Sequence, residues 1–501
     1  MYGNDKVIFK IKSEMRTKLF LFILLIIFIF NTVAGQGDGN EKKPAKKELI
    51  NLKAGGFRGI WYMNQPSNDK YVYKYSGGLG TYCAKHQPFA VYSEEADKTF
   101  FCFGGTDEEN STLYHNVSYF NHATGEVANP TIVLDKETTD AHDNPVISMD
   151  DDGYIWIFST AHGTSRPSYI SRSVNPYDIS HFELVEATEI VDGKVRPLDN
   201  FSYFQVWHTE NKGFMAFYTK YNDQHHRVIG FNTSRDGKNW NEWKVIAHIQ
   251  KGHYGISGGY DGKFSVAFNY HPEEGGLNYR TNLYYLQTPD FGKNWYSGSG
   301  EKVELPLTEV DNKALVKNYE NRRMNCYLKD LNFDNNGNPL ILVVTSLGYQ
   351  SGPRNDPRRW TVYHFKEGKW ENQIITTSDN NYDMGSIYVD EDNVWQLIAP
   401  VVPGPQQYNT GGEVAIWVNP NKGYGWRKKL QVTQHSRRNH SYVRRPVNAH
   451  HDFFALWADG HGRKPSESNL YFCNKEGKAY LLPRDIIWNM SIFKPKPLYG
   501  E

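Results

Sequence analysis

Short runs of alternating apolar and polar residues fill this chain, and clusters of Gly, Asn or Asp close them. A period of two buries one face of a pleated strand, so the pattern predicts β-strands joined by tight turns. Tyr154-Ile-Trp-Ile-Phe158 is one such strand, rich in aromatic and β-branched residues. It follows Asp152-Gly153, a turn pair that tolerates the positive φ of a two-residue hairpin. Phe201-Ser-Tyr-Phe-Gln-Val-Trp207 and Phe214-Met-Ala-Phe-Tyr-Thr-Lys-Tyr221 form a second predicted hairpin around Asn211-Lys-Gly213. Helical periodicity is sparse throughout.

The turns repeat. Thr288-Pro-Asp-Phe-Gly-Lys-Asn-Trp295 fits the Asp-box pattern Ser/Thr-x-Asp-x-Gly-x-x-Trp, and Ser234-Arg-Asp-Gly-Lys-Asn-Trp240 is the same motif shortened by one residue. In such a box the Asp and Gly make the turn between two strands of a propeller blade, and the Trp packs between blades. Weaker echoes, each an acidic or Asn turn before a strand, lie at 150–156, 260–266, 334–342 and 389–395. They recur at intervals suited to four-stranded blades of about 40–60 residues. The expected fold is all-β: a single β-propeller of seven blades, each of four antiparallel strands, from residue 57 to about 482. Residues 485–497 are expected to complete or cap the last blade.

With 501 residues the chain is long enough for two domains, but the regular turns favour one. Its formal net charge is zero, which argues against nucleic acid as the partner, since such proteins carry a basic excess. Arg16 and Lys18 precede the apolar run 19–30, and Thr32-Val33-Ala34 supplies small residues for cleavage. This predicts a signal peptide over 1–34 and a secreted or periplasmic protein with no membrane attachment after cleavage. The Lys-rich segment 35–56 is expected to be a linker, and 57–501 a monomeric propeller. Cys83, Cys102, Cys326 and Cys473 include no Cys-x-x-Cys pair and predict no disulfide scaffold.

Candidate chemistry gathers on the hairpin of residues 140–167. His142 and His162 flank it beside small or turn-forming residues, so strand pairing brings both imidazoles to one end. Arg166 follows just after. The second hairpin brings Tyr203 and Lys220 to one rim, and neighbouring blades present equivalent strand ends to the same face. His142, His162, Tyr203 and Lys220 are therefore the candidate catalytic set. The set suits proton abstraction from a uronic acid. A cation must offset the carboxylate as charge develops on the enolate-like intermediate. A base must take the C5 proton, and an acid must protonate the oxygen leaving C4. Histidine titrates near neutrality and serves in either role, as does tyrosine where nearby cations lower its pKa.

From Gly77-Gly-Leu-Gly-Thr-Tyr-Cys-Ala-Lys-His-Gln-Pro-Phe-Ala90 through the histidine hairpin to the first Asp box, the sequence resembles the β-propeller ulvan lyases of the BNR-repeat superfamily. The resemblance implies two hairpin histidines, a tyrosine and then an arginine, which fall on His142, His162, Tyr203 and Lys220. Lysine keeps the charge but loses bidentate carboxylate binding, which Arg227 would restore. Arg166, Arg227 and His86 are the expected substrate contacts. The implied substrate is a sulfated, rhamnose-containing uronate glycan. The implied reaction is elimination across C4–C5 with no cofactor required. It either cleaves the chain, as a lyase, or removes water at a non-reducing end, as an oligosaccharide dehydratase.

Two further readings follow from this resemblance, and a third from the residues themselves. A related propeller family hydrolyses α-L-rhamnosyl–glucuronate linkages from the opposite face with an early histidine, which His86 would match. Some of the lyases hold a structural zinc, for which His271, Cys326 and His450 or His451 are candidate ligands by residue type alone. Arg437-Arg-Asn-His440 and Arg444-Arg445 read as a solvated basic loop or a contact for sulfate. Two other classes stand against the lyase. A sialidase needs an early Phe/Tyr-Arg-Ile-Pro motif, which Phe57-Arg-Gly-Ile60 does not supply. A non-catalytic glycan-binding propeller would keep the aromatics without needing the histidine–tyrosine set.

Overall fold

The computed structural model describes residues 47–420, 425–486 and 491–499. Among these, helical structure is limited to four 3-10 turns. Seven antiparallel units of four strands follow one another. Their first strands are Ala90–Ser93, Pro145–Met149, Ser202–Thr209, Gly255–Tyr260, Asn325–Phe333, Ser386–Val389 and Asn439–Arg444. These are the blades of a single all-β propeller, as the turn spacing predicts. In the third blade the outer strand is assembled from pieces, with Asn239–Trp240 and Lys244–Ala247 both pairing with Arg227–Ser234.

Both Asp boxes fold as the motif requires. Asp290 accepts from the Asn294 amide at 2.9 Å, and the Gly292 amide donates to Thr288 Oγ1 at 2.8 Å. Asp236 accepts from the Asn239 amide at 2.7 Å. The buried Trp295 of the fourth blade packs on Phe231 of the third, and Trp240 of the third packs on Phe158 of the second. The aromatic residue of each box thus fills the gap between two twisted sheets.

The first and seventh blades meet through Phe101 and Phe453, stacked at 5.2 Å, and through a bridge between Val91 and Val447. Truncating either phenylalanine to alanine would cost about 3–5 kcal/mol. The chain ends reinforce this seam. Ile492–Phe493 pairs with Glu126–Ala128 of the first blade, and Lys496–Pro497 pairs with Ala479–Leu481 of the seventh. The tail therefore caps both blades. The expected linker reaches less far than residue 56: Leu52–Lys53 pairs with Ile132 and Thr131, and the compact unit begins at Leu49. The signal peptide expected over 1–34 lies outside the described residues. All four cysteines are buried, free thiols.

Two departures from regular strands prepare the site. The first strand of the third blade shifts register between Ser202 and Gln205, and that of the seventh between Ser441 and Arg444. Each bulge places a tyrosine in the left-handed region, Tyr203 at φ 54° and Tyr442 at φ 54°. Bulky residues rarely adopt this backbone. A bulge breaks the alternation of a strand and re-aims one side chain, here toward a shared pocket. The second departure is a hairpin outside the blades, Trp61–Pro66 paired with Tyr73–Gly78. It is tied down where Lys74 Nζ donates to Asn278 Oδ1 at 2.8 Å and Asn409 Nδ2 donates to the Tyr71 carbonyl at 2.8 Å.

Candidate active site

The site begins with a short turn, Ala141–Asp143, capped by Asp140, whose carboxylate accepts the His142 amide at 3.0 Å. The cap sets His142 just before the strand Pro145–Met149. That strand pairs with Ile155–Ser159 through a turn in which Gly153 takes φ 80°, and the pairing returns the chain at His162. The two imidazoles stack with centroids 3.9 Å apart and planes 14° apart. His142 Nδ1 lies 2.6 Å from Asp140 Oδ1, and His162 Nδ1 lies 2.9 Å from Asp140 Oδ2. An ionised carboxylate only accepts, so both Nδ1 atoms carry protons. Nε2 of His142 then accepts from the Tyr82 hydroxyl at 2.6 Å, and the Tyr75 hydroxyl lies 2.9 Å from both that nitrogen and the Tyr82 oxygen.

Burial raises the Asp140 pKa, but the hydrogen bonds and charges of His142 and His162 outweigh it and hold the carboxyl below the usual range. Burial and the adjacent His162 push the His142 pKa down against the pull of Asp140, so this ring is neutral at neutral pH.

Arg166, expected to contact substrate, has another task. Its guanidinium donates to Asp143 at 2.7 and 3.0 Å and to Asp140 at 3.0 Å. It fixes the carboxylate that holds both histidines.

The imidazoles open onto a pocket of about 150 Å³, also lined by Tyr203, Arg227, Arg280 and Lys74. Tyr203 lies 6.3 Å, centroid to centroid, from each histidine. Burial pushes its hydroxyl well above its ordinary pKa, against the opposing charge of Arg227, so it keeps its proton at neutral pH. Arg227 lies over the rings of Tyr221, at 5.3 Å, and Tyr254, at 5.4 Å. Arg280 lies over Tyr327, at 4.6 Å, and Tyr254, at 4.7 Å. Ring faces stabilise cations without occupying their N–H donors. Nε of each arginine is buried with no hydrogen-bond partner, a costly state, and Arg280 Nη2 donates to the Leu277 carbonyl at 3.1 Å. Burial, together with Arg280 and Arg227, pushes Lys74 down to about 8.

Lys220 is not among the residues lining this pocket. Its ammonium is held by Glu189 at 2.6 and 2.8 Å and lies over Trp243 at 5.3 Å. Lys220 does share the rim with Tyr203, since Thr219 pairs with Ser202, but strand alternation puts it on the opposite face from Tyr221. Tyr221 packs toward Tyr203, and Arg227, directly across from Tyr221, brings a cation to the pocket.

His86 is 0% exposed, 6.1 Å from the Tyr203 ring, with neither nitrogen hydrogen-bonded; it does not line the pocket. His271, Cys326 and His450 are not brought together. Among the described residues, metal-ligand atoms cluster at Asp140, His142 and His162, and at His122, His450 and Asp452. Cys326 is packed in an apolar cluster, and His271 lies against Tyr254 at 5.1 Å. Of the basic residues 437–445, Arg437 is exposed, while Arg438, Arg444 and Arg445 are held by partners. Arg444 is buried and donates to the Thr81 carbonyl at 2.8 Å, and Arg438 pairs with Glu467 at 2.9 Å.

Sequence reasoning missed Asp140, Tyr75, Tyr82, Lys74 and Arg280. Only Asp140 carried a signal: an acidic residue two positions before His142, at the cap of a turn.

The sequence profile of the family described as BNR repeat-containing family member matches residues 109–378. The chain is 23% identical over 425 residues to an ulvan lyase of Nonlabens ulvanivorans, covering 76% of this chain and 84% of that one. Among solved structures, a PL25 ulvan lyase bound to -[GlcA(1-4)Rha3S]- matches at TM-score 0.64 and 16% identity, over 85% of this chain and 96% of its own. The polysaccharide lyase Uly1 matches at TM-score 0.57 and 13% identity, over 86% of this chain and 100% of its own. At these identities the two structures share the fold with this chain. The family profile spans more than half of the sequence, including the histidine hairpin, the Tyr203 strand and both Asp boxes, and the chain belongs to the BNR repeat-containing family.

Proposed function

We propose that this protein catalyses β-elimination across C4–C5 of a uronic acid residue in an ulvan-type glycan. The observation that carries this reading is the convergence of His162, Tyr203 and Arg227 on one small pocket. Arg227 and Arg280, which line the pocket, would attract the uronate carboxylate and offset the charge that builds up as the C5 proton leaves. His162 donates its Nδ1 proton to Asp140, which leaves Nε2 as a lone pair, the base for C5. Tyr203 keeps its proton and supplies it to the oxygen leaving C4. His142 and Arg166 hold Asp140, and Asp140 orients His162.

The size of the pocket and the hairpin tied down at Lys74 and Asn278 favour a single terminal uronate. At a non-reducing end the C4 substituent is a hydroxyl, and elimination releases water: the protein then acts as an oligosaccharide dehydratase. The second reading, a chain-cleaving lyase, draws on the likeness to ulvan lyases.

Product masses separate the two. Short uronate–rhamnose-sulfate oligomers and intact ulvan are incubated with the protein and analysed by mass spectrometry. The dehydratase reading predicts intact oligomers lighter by one water. Unsaturated fragments would instead support the lyase. Free rhamnose without any unsaturated product would overturn elimination altogether.

A further inference from the structure

We propose that His122, His450 and Asp452 form a second site, for a divalent transition metal with the coordination chemistry of zinc, that clasps the first blade to the seventh. His122 follows the strand Tyr114–Asn121 of the first blade. His450 and Asp452 lie in the turn between Asn439–Arg444 and Ala455–Gly460 of the seventh. Across this junction the two imidazoles meet with centroids 3.7 Å apart. Asp452 Oδ2 lies 3.9 Å from His122 Nδ1 and 3.8 Å from His450 Nδ1. One donor atom from each of the three residues lies within 4.8 Å of the others. Ligands bonded to zinc at about 2.0–2.1 Å in a tetrahedron are about 3.3–3.5 Å apart, so the two nitrogen–oxygen separations need close by only about 0.5 Å; seating an ion on His450 Nδ1 also displaces the Asp452 amide, which that nitrogen accepts at 3.3 Å.

The orientation of His122 points to a ligand. Its Nδ1 is buried with no hydrogen-bond partner, while Nε2 lies 2.9 Å from Thr99 Oγ1. With Nε2–H donating to the threonine, Nδ1 presents a lone pair, the usual arrangement for a metal-bound imidazole with an outer hydrogen bond. Asp452 is steadied on its other oxygen by His451 Nδ1 at 2.8 Å. Two nitrogens and one carboxylate suit zinc better than calcium or magnesium, which take oxygen ligands.

The position explains a use. Tyr92, whose ring lies 4.9 Å from His450 and 5.2 Å from His122, is at the end of Ala90–Ser93 away from Tyr82 and the pocket. The cluster therefore sits on the ring-closing seam, beside Phe120 and Phe453, where the four free cysteines supply no covalent link. A metal held only by the native arrangement would stabilise closure. The site shares only His450 with the zinc set expected from the sequence.

The test is titration of chelator-stripped, tag-free protein with zinc alone, followed by calorimetry, metal analysis and thermal melting. We expect one equivalent bound by the wild type and retained by His162→Ala, which breaks up the other histidine cluster. Asp452→Asn, a change at a part-exposed side chain, and His122→Ala should each bind at least about tenfold more weakly and lose the zinc-dependent rise in melting temperature. No binding by the wild type, binding unchanged in both variants, or binding lost in His162→Ala would each overturn the proposal.

Discussion

His142 and His162 lie ring on ring, 3.9 Å between centroids, each bonded through Nδ1 to a different oxygen of Asp140. The pair acts as a unit with unequal roles. His162 has 28% of its side chain exposed and lines the pocket proposed for the substrate, while His142 is enclosed between Asp140 and two tyrosine hydroxyls. Replacing His162 with alanine should lower kcat by about 10²–10⁴, the usual contribution of a positioned acid or base. Replacing His142 should also lower stability by about 1–3 kcal/mol, because buried polar partners are left unpaired. Steady-state turnover and denaturant titration of both variants check this. A His162→Ala enzyme with near-normal kcat would contradict it.

Asp140→Asn separates orientation from acid–base chemistry. One amide oxygen cannot accept from both imidazoles in their present places, so one ring loses its tautomer. The expected result is a fall in kcat of about 10–100-fold with a small change in KM. The same variant alters acid stability. Asp140 has a folded pKa below its unfolded value of about 3.9, so its contribution is complete above that value and lost as pH falls toward the lower one. Wild-type stability should therefore fall more steeply below pH of about 4 than that of Asp140→Asn, as read by denaturation midpoints across pH.

Arg227 and Lys220 give opposite outcomes. Arg227→Ala should lower kcat/KM by about 10²–10³, the cost of removing one charge-stabilising donor. Lys220→Ala should leave kcat/KM near the wild type and lower stability instead, because the buried Glu189 carboxylate loses its partner. Kinetics and melting curves of the two variants side by side decide which cation serves the reaction.

Lys74 should make substrate capture sensitive to pH. Its ammonium titrates at about 8, so positive charge in the pocket is lost as pH rises through that value. The profile of kcat/KM should fall on its alkaline side near there. Lys74→Arg should move the fall upward, since a guanidinium stays charged. An alkaline limb unchanged by this substitution would remove Lys74 from the site.

Much of the architecture could be read in advance because strands and turns leave local marks. The two Asp boxes and Asp152-Gly153 each specify a turn through residues close in sequence, and Trp240 and Trp295 pack between blades as those motifs require. The meeting of His142 and His162 was legible for the same reason, since a hairpin alone enforces it. Arg227 was legible only as a reserve cation. Alternation places Lys220 and Tyr221 on opposite faces, but the bulge that turns Tyr203 inward has no single sequence signature. Lys74, Arg280 and Tyr75 reach the pocket from elements distant in sequence, whose convergence depends on how the whole ring closes.

The most direct measurement of the central claim is ultraviolet absorbance of a reaction with a purified oligosaccharide that ends in a non-reducing uronate. Elimination creates a C4=C5 bond conjugated with the carboxylate, which absorbs where the substrate does not. The account predicts a steady rise with the wild type, falling about 10²–10⁴-fold in rate with His162→Ala and about 10²–10³-fold with Arg227→Ala. A folded wild-type protein that produces no absorbance from any uronate-terminated or internal-uronate glycan, or a signal unaltered by both substitutions, would contradict it.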